Sequence, residues 1–303
     1  MEPGLEPYRP PRGMSRLKQV SVDPLESIGL PSKGDNRLLN FKTQEEYFRK
    51  VVDRYERCHP HGGDNDTLDG AFASLSIDGI SENRSDRPNP ISEAKASGSA
   101  PQVSTEDSRE QSVILMAMRK VREAIVASAR KDMFALRAYA FLIRATILMR
   151  HMESYHPALL HLLRNIHPVT PLTASEYHEF MGFYILDVSC RQNNLATAFE
   201  VKCRYNYKNV RVEAVLKALV HDNWYAFWKV KTLMSCHQQR LLEYSEEGMR
   251  RRALECLGKS YLSVDPGFLE RSAQRRWREL KEKSNVDWRL EGDVVTIRQI
   301  KRK

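Results

Sequence analysis

The chain has 303 residues, 41% hydrophobic and 29% charged, a balance that excludes disorder throughout. Its net charge of +9 is uneven: residues 1–60 carry +2, residues 61–110 carry −6, and residues 111–303 carry +13. A field of that sign speeds encounter with nucleic acid or acidic proteins and says nothing about catalytic turnover.

The five cysteines are odd in number and far apart, a poor disulfide framework that fits a reducing compartment. The opening MEPGLEPYRPPRG has acids and prolines where a signal peptide needs a basic and then an apolar stretch. No run approaches the roughly 18 apolar residues that a membrane span requires. The expected setting is the nucleus, with the cytoplasm as the second compartment. The basic end of the chain is a weak import hint.

Residues 1–42, rich in proline and glycine, are expected to be flexible. Thr43-Gln-Glu-Glu46 has a capping-box pattern and opens a docking helix over 43–58, with Tyr47, Phe48, Val51, Val52 and Tyr55 on one apolar stripe. Residues 59–108 are dominated by Gly, Ser, Pro and acids and read as a disordered linker. The piece AFASLSI at 71–77 is either a local docking segment or nothing.

A train of helices follows over 109–260, with no alternating strands of an α/β enzyme. Ile114, Met118, Val121 and Ile125 share one face of the first helix. The second, DMFALRAYAFLIRATILMRHM, is apolar enough to be buried on several sides. A short third, HPALLHLLRNI, ends at two prolines, and Thr173 with Glu176 caps the fourth. LATAFEVKCRYNY, NVRVEAVLKALVHD, NWYAFWKVKTLM and HQQRLLEYSEEGMRRRALECLGKSYL complete the series, whose rhythm suits stacked helical hairpins. In NWYAFWKV, Trp224, Phe227, Trp228 and Leu233 fall on one face and read mainly as core between hairpins. An exposed platform for bases would need closely interleaved basic side chains, and only Lys229 and Lys231 follow.

Residues 261–300 change character. Asp265-Pro266 is a helix start, and GFLERSAQRRWRELKEK is expected as one helix with Phe268, Leu269, Ala273, Trp277 and Leu280 inward. WRL and VVTIRQI, joined by Glu291-Gly-Asp293, form a hairpin in which Trp288 is core. A helix and hairpin ending a helical stack suggest a winged-helix subdomain, with residues 301–303 as a basic tail.

Motifs that carry chemistry are few. His178-Glu-Phe-Met-Gly182 begins like a zinc-protease helix but has glycine where the second histidine belongs. Cys58, His59 and His61 lack further ligands nearby, and the acidic stretch 64–75 misses the glycine and glutamate of a calcium loop. There is no phosphate loop and no serine elbow. No metal, cofactor or catalytic residue is expected, and the chain does not read as an enzyme.

The order of "ASEYHEFMGFYILDV", "YNYKNVRVEAVLKALVHDNWYAFWKV" and "MRRRALECLGKSYLSVD" before a helix and hairpin resembles the PCI-type family. That family includes the GANP-type mRNA-export scaffold and small subunits of the proteasome lid, the signalosome and initiation factor three. The matching positions are Glu176, Phe180, Tyr184 and Leu186; Val212, Ala214 and Ala218; Asn223, Tyr225, Phe227 and Trp228; and Arg252, Ala253 and Tyr261. The resemblance covers about 110–300 and is nearest the export branch. It implies a mainly α fold, a helical-hairpin repeat capped by a C-terminal winged helix. It further implies a non-catalytic scaffold of a nuclear complex in transcription-coupled mRNA processing or export, joined through its winged helix to another PCI-type protein and a small acidic partner. The alternative is a scaffold of a signalosome, lid or initiation particle without nucleic-acid contact.

Residues 271–303 carry eleven basic and five acidic side chains. On one continuous helix Arg271, Arg275, Arg278 and Lys281 would line one side, flanked by Arg276 and Lys283. Arg298, Lys301, Arg302 and Lys303 would extend the patch beyond the hairpin. Such a stripe is expected to grip RNA or DNA phosphates in a salt-dependent way.

Overall fold

The computed structural model describes residues 23–58, 105–284 and 286–298. The expectations for 1–22, 59–104 and 301–303, including the 71–77 piece, lie outside the described residues. The fold is mainly α-helical with one small antiparallel sheet near the carboxyl end.

The first described stretch departs from the flexible segment expected before 43. Leu25, Leu30 and Leu38 are buried, and two short 3-10 turns, Pro31–Lys33 and Asn36–Leu39, carry the chain across the helical body. The Leu25 carbonyl accepts from Tyr47 Oη at 2.8 Å and from Lys120 Nζ at 2.7 Å. Three spaced leucines therefore do what periodicity did not announce.

Helix α1 (Phe41–Cys58) starts two residues before the expected capping box, because Asn40 is the cap. Asn40 Oδ1 accepts from the amides of Lys42 at 2.9 Å and Thr43 at 3.3 Å. Its predicted stripe is buried, with Phe48 edge-on to Phe134 and Phe141 and Tyr55 edge-on to Phe141. Helix α2 (Thr105–Ala127) buries Ile114, Met118, Val121 and Ile125, and its start shortens the expected linker by four residues.

Helix α3 (Met133–Leu148), capped by Asp132 on the Ala135 amide, is the centre of the body: every residue from Phe134 to Ile147 except Arg137 is buried. Two arginines on it reach carboxylates of a later helix, Arg137 to Glu176 at 2.5 Å and Arg144 to Glu179 at 2.6 Å. Helix α4 (Met152–His161) begins before the expected His156, so Pro157 lies inside it, and a wider turn over Leu162–Ile166 prolongs it.

Helix α5 (Ala174–Leu186) has the predicted Thr173–Glu176 capping box and continues in a wide turn, Asp187–Arg191. There Asp187, fully buried, accepts from Tyr155 Oη at 2.7 Å, from Arg191 Nε at 2.6 Å and from Gln192 Nε2 at 3.0 Å. Helices α6 (Leu195–Arg204), α7 (Val210–Val220) and α8 (Trp224–Lys231) are each capped by an asparagine side chain: Asn194, Asn209 and Asn223. Helix α9 (Cys236–Ser260) opens with a Ser235–Gln238 capping box.

The aromatic run on α8 is packing. Phe227 and Trp228 are buried and Trp224 is half-buried against the same core, while Tyr225 faces solvent. Leu233 does not share that face. The helix ends at Lys231, and Leu233, beyond it, is exposed.

Two apolar cores result. The larger fills the space among α1 to α8 and the first half of α9. The smaller joins Leu254 and Leu257 of α9 to Val264, Leu269, Ala273, Leu280 and Val295, with Trp277, Val286, Trp288 and Ile297 packed against it. Among the described residues no helix is long and apolar enough to cross a membrane.

Candidate nucleic-acid interface

The terminal unit grows directly out of α9. Strand β1 (Ser263–Val264) leads into helix α10 (Pro266–Ala273), whose cap Asp265 accepts from the Phe268 amide at 2.7 Å. Helix α11 (Trp277–Lys283), strand β2 (Arg289–Glu291) and strand β3 (Val294–Thr296) follow. The sheet order is β1-β3-β2, all antiparallel, with Val264 opposite Val295 and Glu291 opposite Val294. Gly292, at φ 63°, supplies the left-handed first position of the two-residue turn, as the Glu-Gly-Asp sequence requires. β1 was not anticipated, since its two residues become a strand only by pairing with β3.

The single helix expected over 267–283 is two helices. Gln274 adopts the left-handed conformation at φ 49° and closes α10. Glu270 Oε1 then accepts from the Trp277 amide at 2.8 Å, capping α11 from the preceding helix. Phe268, expected inward, is exposed, whereas Leu269, Ala273 and Leu280 are buried and Trp277 is half-buried against them.

This break dissolves the continuous arginine stripe. Arg271 is exposed on α10. Arg275 lies in the connection, mostly covered, with its guanidinium on Glu247 at 3.1 Å and near Glu279 at 4.0 Å. It is a strut between the terminal unit and α9, not a free cation. Arg276, Arg278, Lys281 and Lys283 are exposed on and beside α11 and have no carboxylate within ion-pair distance among the described residues. They share the helix with Glu279 and Glu282, so the face is mixed with a basic excess. Arg298 is exposed and donates from Nη2 to the Lys259 carbonyl at 2.7 Å, which ties the end of β3 to α9. Arg289, which the expected patch omits, is exposed on β2, as are Leu290 and Glu291.

The unit is clamped to the helical body at the last turn of α10. Trp228 Nε1 donates to the Ser272 carbonyl at 2.9 Å, and Arg250 Nε donates to the Ala273 carbonyl at 2.8 Å. Arg250 is buried, paired with Glu247 at 2.6 Å and placed over the Trp228 ring at 5.8 Å. Helix-end carbonyls without partners are thereby satisfied by side chains of α8 and α9. Nothing in the Met-Arg-Arg-Arg run distinguishes Arg250 from its neighbours before the fold is seen. Trp288 packs its ring against Gly258 of α9.

Among the described residues, no three His, Cys, Asp or Glu side chains converge to hold a metal ion. His178 instead stacks on Tyr207 and contacts the Lys208 carbonyl through Nε2 at 2.9 Å. No protein-family model matches the chain, and no curated protein matches it significantly.

Proposed function

We propose that the chain is a non-catalytic scaffold subunit of a PCI-like kind, whose helical stack presents a winged-helix unit to RNA or DNA and to a second subunit. The observation that carries this reading is the order helix, strand, helix, helix, hairpin with sheet order β1-β3-β2, clamped to the stack through Trp228 and Arg250. In a winged helix the third helix and the hairpin carry the contacts. Here these elements bear Arg276, Arg278, Lys281, Lys283 and Arg289, with Arg271 nearby. A nuclear role in transcription-coupled mRNA processing or export follows from the sequence resemblance.

The test is single-stranded RNA and duplex DNA binding by the full chain over a salt series, with the Arg276→Glu, Arg278→Glu, Lys281→Glu triple variant beside it. Loss of three phosphate contacts should cut the slope of log K against log salt by roughly 2 for single strands. Unchanged retention and slope would refute the assignment of this face.

A scaffold role without nucleic-acid contact is favoured by a different feature. Tyr261, Leu262 and Phe268 lie exposed beside β1, with Tyr261 edge-on to Phe268, a small apolar patch suited to a protein partner. Under that reading purified partners survive nuclease treatment and the triple variant keeps them.

A further inference from the structure

A cavity of about 510 Å³ opens between the two 3-10 turns and helices α2, α3 and α4, far along the chain from the terminal unit. That volume is in the range of small-molecule sites. Leu39, Val126, Tyr139 and Pro157 give it apolar walls, and Arg122 and His161 enter it as polar groups.

Arg122 is the unusual member. Among the described residues the buried arginines each hold a carboxylate: Arg130 has Glu45 and Asp132, Arg144 has Glu179, and Arg250 has Glu246 and Glu247. Arg122, half-buried, has no carboxylate within 4.0 Å among the described residues, and its guanidinium donates to the Ser154 carbonyl at 2.5 Å. Burial pulls its pKa down, and the nearby charge of Glu123 offsets that only in part. Glu123 on the rim acts on Arg122 only through space, without a direct pair, and its oxygens accept from Arg119 Nε and Ser32 Oγ at 2.8 Å.

His161 adds a donor. Its ring packs on Tyr139 at 5.0 Å, and burial lowers its pKa, which favours the neutral form. Asn165 Nδ2 stands 2.9 Å from His161 Nδ1; an amide donating there leaves the imidazole proton on Nε2.

We propose that this cavity binds a small amphipathic organic anion, its carboxylate or phosphate on Arg122 and its apolar body against Leu39, Val126 and Tyr139. The ligand's charge supplies the direct ion pair that Arg122 lacks, and the apolar walls reject a fully hydrated anion. This site is independent of the nucleic-acid reading.

Calorimetric titration of the full chain with decanoate and decylammonium below their micellar concentrations, and with decanol below its solubility limit, tests the proposal. Decanoate should bind at least tenfold more tightly than either of the others. Arg122→Met should remove that preference. Val126→Trp, at an exposed rim position, should weaken all three by obstructing the opening while leaving the fold intact. Absence of decanoate binding, equal affinity for the three head groups, a preference that survives in Arg122→Met, or unchanged binding by Val126→Trp would each overturn it.

Discussion

Among the described glycines, Gly182 on α5 leaves the least room for a Cβ. A Cβ built there would stand 2.5 Å from Tyr207 Oη, half an ångström inside the 3.0 Å that real Cβ contacts respect. Tyr207 cannot retreat easily: its ring is buried and stacked on His178 at a centroid distance of 4.4 Å. Overpacking of this kind costs about 1–3 kcal/mol. Replacing glycine by alanine inside a helix returns about 1 kcal/mol. Gly182→Ala alone should therefore destabilise by roughly 1 kcal/mol, with about 2 kcal/mol as the upper end. Tyr207→Phe removes the offending oxygen, and the nearest remaining ring atom is then Cζ at 3.5 Å, an ordinary contact. In that background Gly182→Ala should stabilise by about 0.5–1 kcal/mol. Equilibrium urea unfolding of the four proteins in the cycle, followed by circular dichroism, gives the coupling directly. If the two substitutions add to within about 0.5 kcal/mol, the steric account is wrong.

Two further outcomes follow from buried titratable groups. Burial would raise the Asp187 carboxyl, but hydrogen bonds from Arg191, Tyr155 and Gln192 outweigh it and hold the pKa below the ordinary aspartate value. A depressed folded pKa means the stabilisation is fully present above the unfolded value near 3.8 and is lost as pH falls through the lower folded value. Asp187→Asn should cost about 3 kcal/mol at neutral pH and flatten the acid limb of a stability–pH curve; an unchanged acid limb would contradict this. Cys190 is buried, and burial pushes its thiol up to about 11, so iodoacetamide at pH 8 should label Cys203 and Cys256 while sparing Cys190 until the chain unfolds. Mass spectrometry showing Cys190 modified as fast as Cys203 would refute its placement.

Helix identity and inward faces were legible where periodicity and caps agree, as at Thr173 with Glu176 and along Ile114, Met118, Val121 and Ile125. Starts were less so. Asn40 and Thr43 are both competent caps, and only the packing of α1 chooses Asn40. The break at Gln274 carries no glycine or proline; it depends on Glu270 reaching Trp277, a contact between two helices that periodicity reads as one. Arg275 shows the same limit for the candidate site. Its charge and spacing match those of Arg278, and only the position of Glu247 on another helix turns it from a surface cation into a strut. β1 was illegible for a related reason, because a two-residue strand is defined by a partner some thirty residues away.

Helix α9 spans 25 residues, roughly 37 Å at 1.5 Å per residue, and contributes one half to each core. Melting either core frays the rod on which the other is built, so the two halves are wired in series. A partner gripping only the carboxyl-terminal end, at a hundredfold over its Kd, adds about 2.7 kcal/mol to whatever unfolds with that end. Helices that the partner never touches thus share in its grip, and occupancy at one extremity is felt as toughness at the other.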